Sequence, residues 1–261
     1  GARPTTSSVT EMTRVFIHGN PETAAIWGPL LDELRERGES DLVCLSAPGF
    51  GAPRPSDFDA SPTSYVGWLV GELEQIDGPI DLIGHDWGAG HVYGLLAQRP
   101  DLVRSWAADC AGLVHPEYVW HDMAQAWQTD EVGEQVVEMM MAGAPDERVA
   151  RFVELGITEH IAAALVAETD PSIGGCILDL YRGAAQPVMA DLGRALLATE
   201  LPRGLVLDAT GDAYSQPALG RDMAERFGAR VFTMEGEGHW WMCSVAGAAA
   251  EGLTEFWSTL D

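Results

Sequence analysis

The sequence predicts an α/β protein: a mostly parallel sheet covered by helices on both faces, with a helical insert late in the chain. Two observations carry this. Short apolar runs ending in glycine or aspartate alternate with stretches of helical periodicity, an order that lays parallel strands side by side. That rhythm stops after about Gly112 and resumes only near residue 200, and the stretch between shows helical patterns alone. The expected division is a core of residues 12–112 and 200–261 and a helical cap of residues 113–199.

The elements follow in order. "TRVFIHG" (13–19) is a buried-strand signal, and Ile26, Leu30, Leu31 and Leu34 then recur at helical spacing up to Gly38. "DLVCLSAPGFG" supplies a second strand and a Pro/Gly loop, and Tyr65 to Ile76 a second helix. "IDLIG" is the expected central strand, followed by a corner at His85-Asp86-Trp87 and a helix over 88–98 that Pro100 stops. "LVRSWAAD" reads as the next strand. Beyond the insert, "GLVLDATGD", a helix to Phe227, "RVFTMEG" and a helix to Leu260 complete the pattern.

Composition narrows the function. Fifteen basic residues stand against 40 acidic ones, a net charge of −25. Such a surface repels nucleic acid and anionic membranes and disfavours an anionic substrate. Cys44, Cys110, Cys176 and Cys243 are widely scattered, which suggests reduced thiols and a cytoplasmic setting. No apolar run approaches the ~18 residues of a membrane span. Residues 1–11 are polar, without the apolar stretch of a signal peptide; they read as an N-terminal extension or a cloning remnant, with Met12 the candidate start.

Chemistry in open parallel sheets gathers beyond the carboxyl ends of the strands, and several motifs fall there. "LIGHDWGAGHV" (83–93) is a strand–corner–helix of the G-x-nucleophile-x-G kind with Asp86 at its tip. "HGNPET" (18–23) follows the first strand. "DATGD" (208–212) and "EGEGHWW" (235–241) end the last two strands. Asp86, Asp212 and His239 thus appear in the chain order nucleophile, acid, histidine. Asp109, also at a strand end, is the alternative acid. Asp is also a good helix N-cap, the structural alternative for Asp86. His18 and His85 read as structural hydrogen-bonders, and the remaining histidines lack metal-ligand spacing.

These motifs together resemble the α/β-hydrolase superfamily, in its Asp-nucleophile branch of epoxide hydrolases and haloalkane dehalogenases. The similarity runs from Arg14 to the C-terminus, but only about a dozen residues precede the "HG" strand, where the superfamily usually has two more strands. The resemblance implies the α/β-hydrolase fold and no metal or organic cofactor. It implies a small apolar electrophile as substrate, and a monomer or homodimer with neither nucleic acid nor membrane as partner. An ionised carboxylate at the corner attacks saturated carbon unaided and forms an ester. Water activated by His239 then hydrolyses that ester, with Asp212 orienting the imidazole. Backbone N–H groups of Asn20 and Trp87 would form the oxyanion hole.

The two branches differ in the leaving group. An epoxide oxygen needs a proton, and "DLYRGAA" (179–185) resembles the segment that bears a proton-donating tyrosine, which selects Tyr181. Trp127 aligns where a second cap tyrosine would stand; its indole N–H donates a hydrogen bond but no proton. Asn20 and Trp87 resemble instead the halide clamp of haloalkane dehalogenases. "PET", "GHDWGA" and "GHWW" favour the epoxide hydrolases, so opening an apolar epoxide to a vicinal diol is the first expectation. Haloalkane dehalogenation is the second, and a receptor-like homologue without turnover the third. Trp120, Trp127 and "MMMAG" are candidate pocket residues or simple helix packing.

Overall fold

The computed structural model describes residues 12–260, so the extension expected over residues 1–11 lies outside the described residues. Six strands form one parallel sheet: β1 (Thr13–Ile17), β2 (Leu42–Leu45), β3 (Ile80–Gly84), β4 (Ser105–Ala108), β5 (Arg203–Ala209) and β6 (Arg230–Met234), in the order β2-β1-β3-β4-β5-β6. All six arise from the segments the sequence marks. Among the described residues β2 ends the sheet on its side.

Side chains alternate across the sheet as the two-residue period of a strand requires. Val15, Ile17, Leu82, Trp106, Ala108 and Val206 enter one buried cluster; Phe16, Ile83, Ala107, Leu205 and Leu207 enter the other. The first face is covered by α2 (Pro62–Leu73), α3 (Trp87–Gln98) and α10 (Pro217–Phe227). The second is covered by α1 (Gly28–Glu36) and α12 (Ala246–Ser258), with the short α11 (Trp241–Ser244) between β6 and α12. Both sides being dry explains why β1 and β3 are buried along their whole length; the charges they carry, Arg14 and Asp81, pair with each other at 2.9 Å.

Between β4 and β5 run six helices: α4 (Asp122–Gln128), α5 (Val132–Met141), α6 (Pro145–Glu154), α7 (Glu159–Glu168), α8 (Ile173–Gly183) and α9 (Val188–Leu197). The first is shorter than its sequence pattern: residues 116–121 stay out of the helix, and the His121 side chain accepts the Ala124 N–H as a cap. Gln186–Pro187 is a cis peptide between α8 and α9.

The strand order reverses between β1 and β3. There the chain leaves β1 towards β2 and later returns past β1 to build the rest of the sheet, which opens a crevice at the carboxyl ends of these two strands. The Gly19–Asn20 loop after β1 and the Asp86 corner after β3 meet in it. Gly88 makes the corner fit: a Cβ there would lie 2.1 Å from the Ile17 carbonyl oxygen.

Two glycine-to-alanine changes should therefore act in opposite directions. Gly88→Ala drives a methyl into the backbone of a central strand and should cost about 3 kcal/mol. Gly67→Ala, exposed in α2 with nothing within 4 Å of the new methyl, should stabilise by about 0.5–1 kcal/mol through helix propensity. Urea unfolding of the two variants measures both signs.

Candidate active site

Asp86 occupies the corner with φ 52° and ψ −117°, a conformation that L-residues avoid. Such a residue costs on the order of 1–3 kcal/mol and persists only when its surroundings over-determine it. They do so here. The Asp86 N–H donates to Asp109 Oδ1 at 2.8 Å, the preceding His85 N–H to the Ile17 carbonyl at 3.0 Å, and Gly90 N–H to the Asp86 carbonyl at 3.0 Å. Although Asp86 stands at the N-cap position of α3, its side chain makes no capping bond. The carboxylate is left for other work.

Its two oxygens are in different environments. Oδ2 accepts the Asn20 backbone N–H at 2.8 Å; Oδ1 faces His239 Nε2 at 3.8 Å. The other imidazole nitrogen, Nδ1, lies 2.9 Å from Asp212 Oδ2, and Asp212 Oδ1 accepts the Tyr214 N–H at 2.8 Å. The order Asp86–His239–Asp212 expected from the sequence is thus contiguous in space. The alternative acid, Asp109, does not reach His239. It holds the corner and, with Oδ2, takes the His85 Nδ1 and the Trp241 indole N–H.

The electrostatics follow from burial opposed by pairing. Burial pushes the Asp86 carboxyl up, against the pull of His239, His85 and the Asn20 N–H. Burial also raises Asp212, but the hydrogen bond and charge of His239 outweigh it and bring its pKa to about 2. For His239, burial and the nearby His85 oppose protonation; Asp212 and Asp86 together raise its pKa above 6.5.

Beneath these three lies a second buried set that the sequence motifs only hinted at. Glu22, from "PET", accepts the Gly19 N–H at 3.2 Å and the Trp240 indole N–H at 2.5 Å, and sits 3.2 Å from His85 Nε2. Burial disfavours both charges, yet mutual attraction drops Glu22 to about 2 and, with Asp109, lifts His85 well above 6.5. His18 is also buried; its Nδ1 lies 2.9 Å from the Gly19 carbonyl and its Nε2 accepts the Ala47 N–H. Both histidines are structural hydrogen-bonders, as expected. Glu22, His85 and His239 place ligand-type atoms within 4.8 Å of one another, as do Cys110, Asp212 and His239. His85, Glu22 and Asp212 already have protein partners there.

A cavity of about 280 Å³ opens over Asp86 and His239. Its wall combines Asn20 and Tyr214 with residues of the inserted helices, among them Trp127, Met140, Met141, Phe152, Ile173 and Tyr181. Two residues of "MMMAG" therefore line it, whereas Met139 is 67% exposed. Tyr181 is buried, and Asn20 Nδ2 donates to its hydroxyl oxygen at 3.3 Å. Burial and the Asp86 charge raise the Tyr181 pKa well above 10; hydrogen bonds from Asn20 and Trp87 pull the other way. Trp127 lies 4.7 Å from the Tyr181 ring, and its buried indole N–H has no partner among the described residues.

Two expectations need correction. Trp120 does not line the cavity: it stacks on Trp87 at 5.8 Å and spends its N–H on the Ala184 carbonyl. The Trp87 side chain also stands one layer back, edge-on to Tyr181 at 5.4 Å, because the aromatic ring of Tyr181 lies in front of it. Its backbone N–H opens α3, where helical N–H groups have no intrahelical partner. Tyr214, 4.9 Å from the His239 ring, has no signal in the sequence, because aromatic contacts across loops leave no spacing signature.

The buried pair makes a pH-dependent prediction. Because the Glu22 pKa is lower folded than unfolded, its stabilisation is present above about 4.5 and fades as pH falls towards 2. Glu22→Gln should destabilise by on the order of 2–3 kcal/mol at about pH 7 and clearly less at about pH 3.5. Urea unfolding at both pH values checks it; an equal loss at both would contradict the sign.

Comparison with known proteins agrees with this architecture. Residues 15–244 match the alpha/beta hydrolase family. A haloalkane dehalogenase of Mesorhizobium japonicum is 28% identical over 138 residues, 48% of this chain and 42% of that protein. Epoxide hydrolase 2 of Siraitia grosvenorii is 36% identical over 104 residues, 35% of this chain and 29% of that protein. The aligned stretches thus span less than half of either relative. Among solved structures, the haloalkane dehalogenase DbeA from Bradyrhizobium elkani superposes with a TM-score of 0.71 at 19% identity, covering 97% of this chain and 92% of that one. With the matched region extending over nearly all of the described sheet, the chain belongs to the alpha/beta hydrolase family.

Proposed function

We propose that this hydrolase opens an apolar epoxide to a vicinal diol through an ester on Asp86. The observation that carries this is the position of the Tyr181 hydroxyl, buried over the carboxylate and already accepting a hydrogen bond from Asn20 Nδ2. A phenol oxygen that accepts one hydrogen bond has its own proton to give. Asn20 and Trp87, the donors that a halide would need, are turned to that oxygen.

The inserted helices serve as a cap over the sheet, bringing Tyr181 and Trp127 to the site. Asp86 Oδ1, not bound to the oxyanion donors, attacks a ring carbon; that C–O bond breaks and the opening oxygen takes the Tyr181 proton. Trp127 donates a hydrogen bond to the same oxygen. Burial strips water from the carboxylate and leaves it more reactive. Oδ2 becomes the ester carbonyl oxygen, still at the Asn20 N–H and beside the N-terminus of α3. Water then attacks Cγ of Asp86 and gives its proton to His239 Nε2. The tetrahedral oxyanion is held by the Asn20 and Trp87 N–H groups. Its collapse releases the diol oxygen, which takes the proton back from the imidazolium; the second diol proton came from Tyr181. The remaining proton of the water, left on the Asp86 carboxyl, ionises to solvent and restores the carboxylate, while solvent reprotonates Tyr181. Asp212 keeps Nδ1 protonated throughout.

His239→Gln should trap the ester. Intact-protein mass spectrometry after exposure to panels of epoxides and haloalkanes should show a gain equal to a whole epoxide. A gain equal to a haloalkane less hydrogen halide would make the chain a dehalogenase, and no adduct from either panel would favour a ligand-binding role. Tyr181→Phe should slow ester formation by about 10²–10⁴-fold, the usual contribution of a general acid, and leave ester hydrolysis nearly unchanged. Rapid-quench measurement of the two steps decides this.

A further inference from the structure

The cavity wall contains two cations that the apolar-substrate assignment does not use. Arg148 and Arg151, three residues apart on α6, both line it. In a chain with 40 acidic residues and no lysine, arginines find carboxylates easily. Outside the cavity, every described arginine except Arg203 lies within ion-pair reach of an Asp or Glu, and Arg203 donates to the Thr259 carbonyl. Arg148 and Arg151 form no ion pair among the described residues. Arg151 donates to the carbonyls of Met140 and Ala142, which end α5, while the half-buried Arg148 guanidinium makes no hydrogen bond. Burial and then the neighbouring Arg151 charge lower the Arg148 pKa. Glu147, next in sequence, is turned away to cap α6 through the Ala144 N–H.

We propose that Arg148 and Arg151 bind a carboxylate on the substrate, making it an amphipathic epoxy acid: an apolar chain with its acid group at α6 and its ring at Asp86. The same wall carries Met140, Met141, Phe152 and Ile173, apolar side chains to contact the chain. The guanidinium fork matches a carboxylate in two parallel hydrogen bonds, and a second positive charge beside it draws an anion into an otherwise acidic protein. The overall charge of −25, which disfavours anions at long range, makes a local pair of this kind necessary for such a substrate. The proposal rests on the assignment of this cavity to an epoxide substrate, and its test separates the two.

Isothermal titration with decanoate and with decanamide near neutral pH isolates the anion site from the chemistry. Decanoate should bind at least about tenfold more tightly, as a charge-assisted bidentate contact requires. Arg148→Gln breaks no hydrogen bond or ion pair among the described residues and should bring the ratio to within about threefold. Arg151→Gln should act in the same direction, with urea unfolding to confirm that the fold persists. Equal affinity for acid and amide, no binding of decanoate at millimolar concentration, or a preference that survives both substitutions would overturn the proposal. Consumption of 9,10-epoxydecanoate over its amide should follow the same order. A decanoate preference lost in the variants, with neither epoxide opened, would uphold the anion site and remove the epoxide assignment alone.

Discussion

The short hydrogen bond from the Asp86 N–H to Asp109 holds the corner on which the site depends. A left-handed aspartate at the tip of β3 is unfavourable by itself, and the chain retains it by anchoring the turn to β4 through Asp109 and to β1 through the Ile17 carbonyl. With the turn so constrained, the carboxylate stands clear of the helix it precedes and is free to face His239. Asp109 thereby does what a second orienting acid does not: it fixes the backbone, and the His239 partnership falls to Asp212.

That arrangement requires charge in a dry place. Glu22, His85 and Asp109 lie under Asp86 and His239, each tied to another or to an indole N–H. A lone ion there would be strongly destabilising, and removing one partner would leave another uncompensated. Together they form a rigid polar floor. The "WW" after His239 supplies two of its donors, one to Glu22 and one to Asp109, so the loop carrying His239 is fastened to the same floor that supports the corner. This shared anchoring keeps His239 and Asp86 in register although they lie far apart in the chain.

Over the floor lies an aromatic layer of Trp87, Trp120, Trp127 and Tyr181. Asn20 and Trp87 offer donors, but Asn20, on the cavity wall, gives its side-chain N–H to Tyr181, and the Tyr181 ring packs edge-on against Trp87, which does not line the cavity. Under the epoxide proposal the donors act through the phenol, polarising its oxygen while its proton goes to the substrate.

The strands, their order of chemistry and the corner were legible in the sequence because each depends on local patterning: an apolar run of five residues, a glycine where a backbone must approach, an aspartate between G-H and W-G. Asp212 was the first expectation for the partner of His239, from the chain order nucleophile, acid, histidine, with Asp109 left open as the alternative. Three things were decided only by the tertiary structure. The partner of Asp109 depends on where the β4 end lies relative to the corner, a distance no spacing encodes. Whether Trp120 or Trp127 faces the cavity depends on how α4 and the non-helical stretch before it pack against their neighbours, and the structure stacks Trp120 on Trp87 and sends Trp127 to the wall. That Arg148 and Arg151 make no ion pair among the described residues is visible only in the tertiary structure. Local periodicity determines which face of an element is apolar; which atoms meet across elements is set by packing of the whole chain.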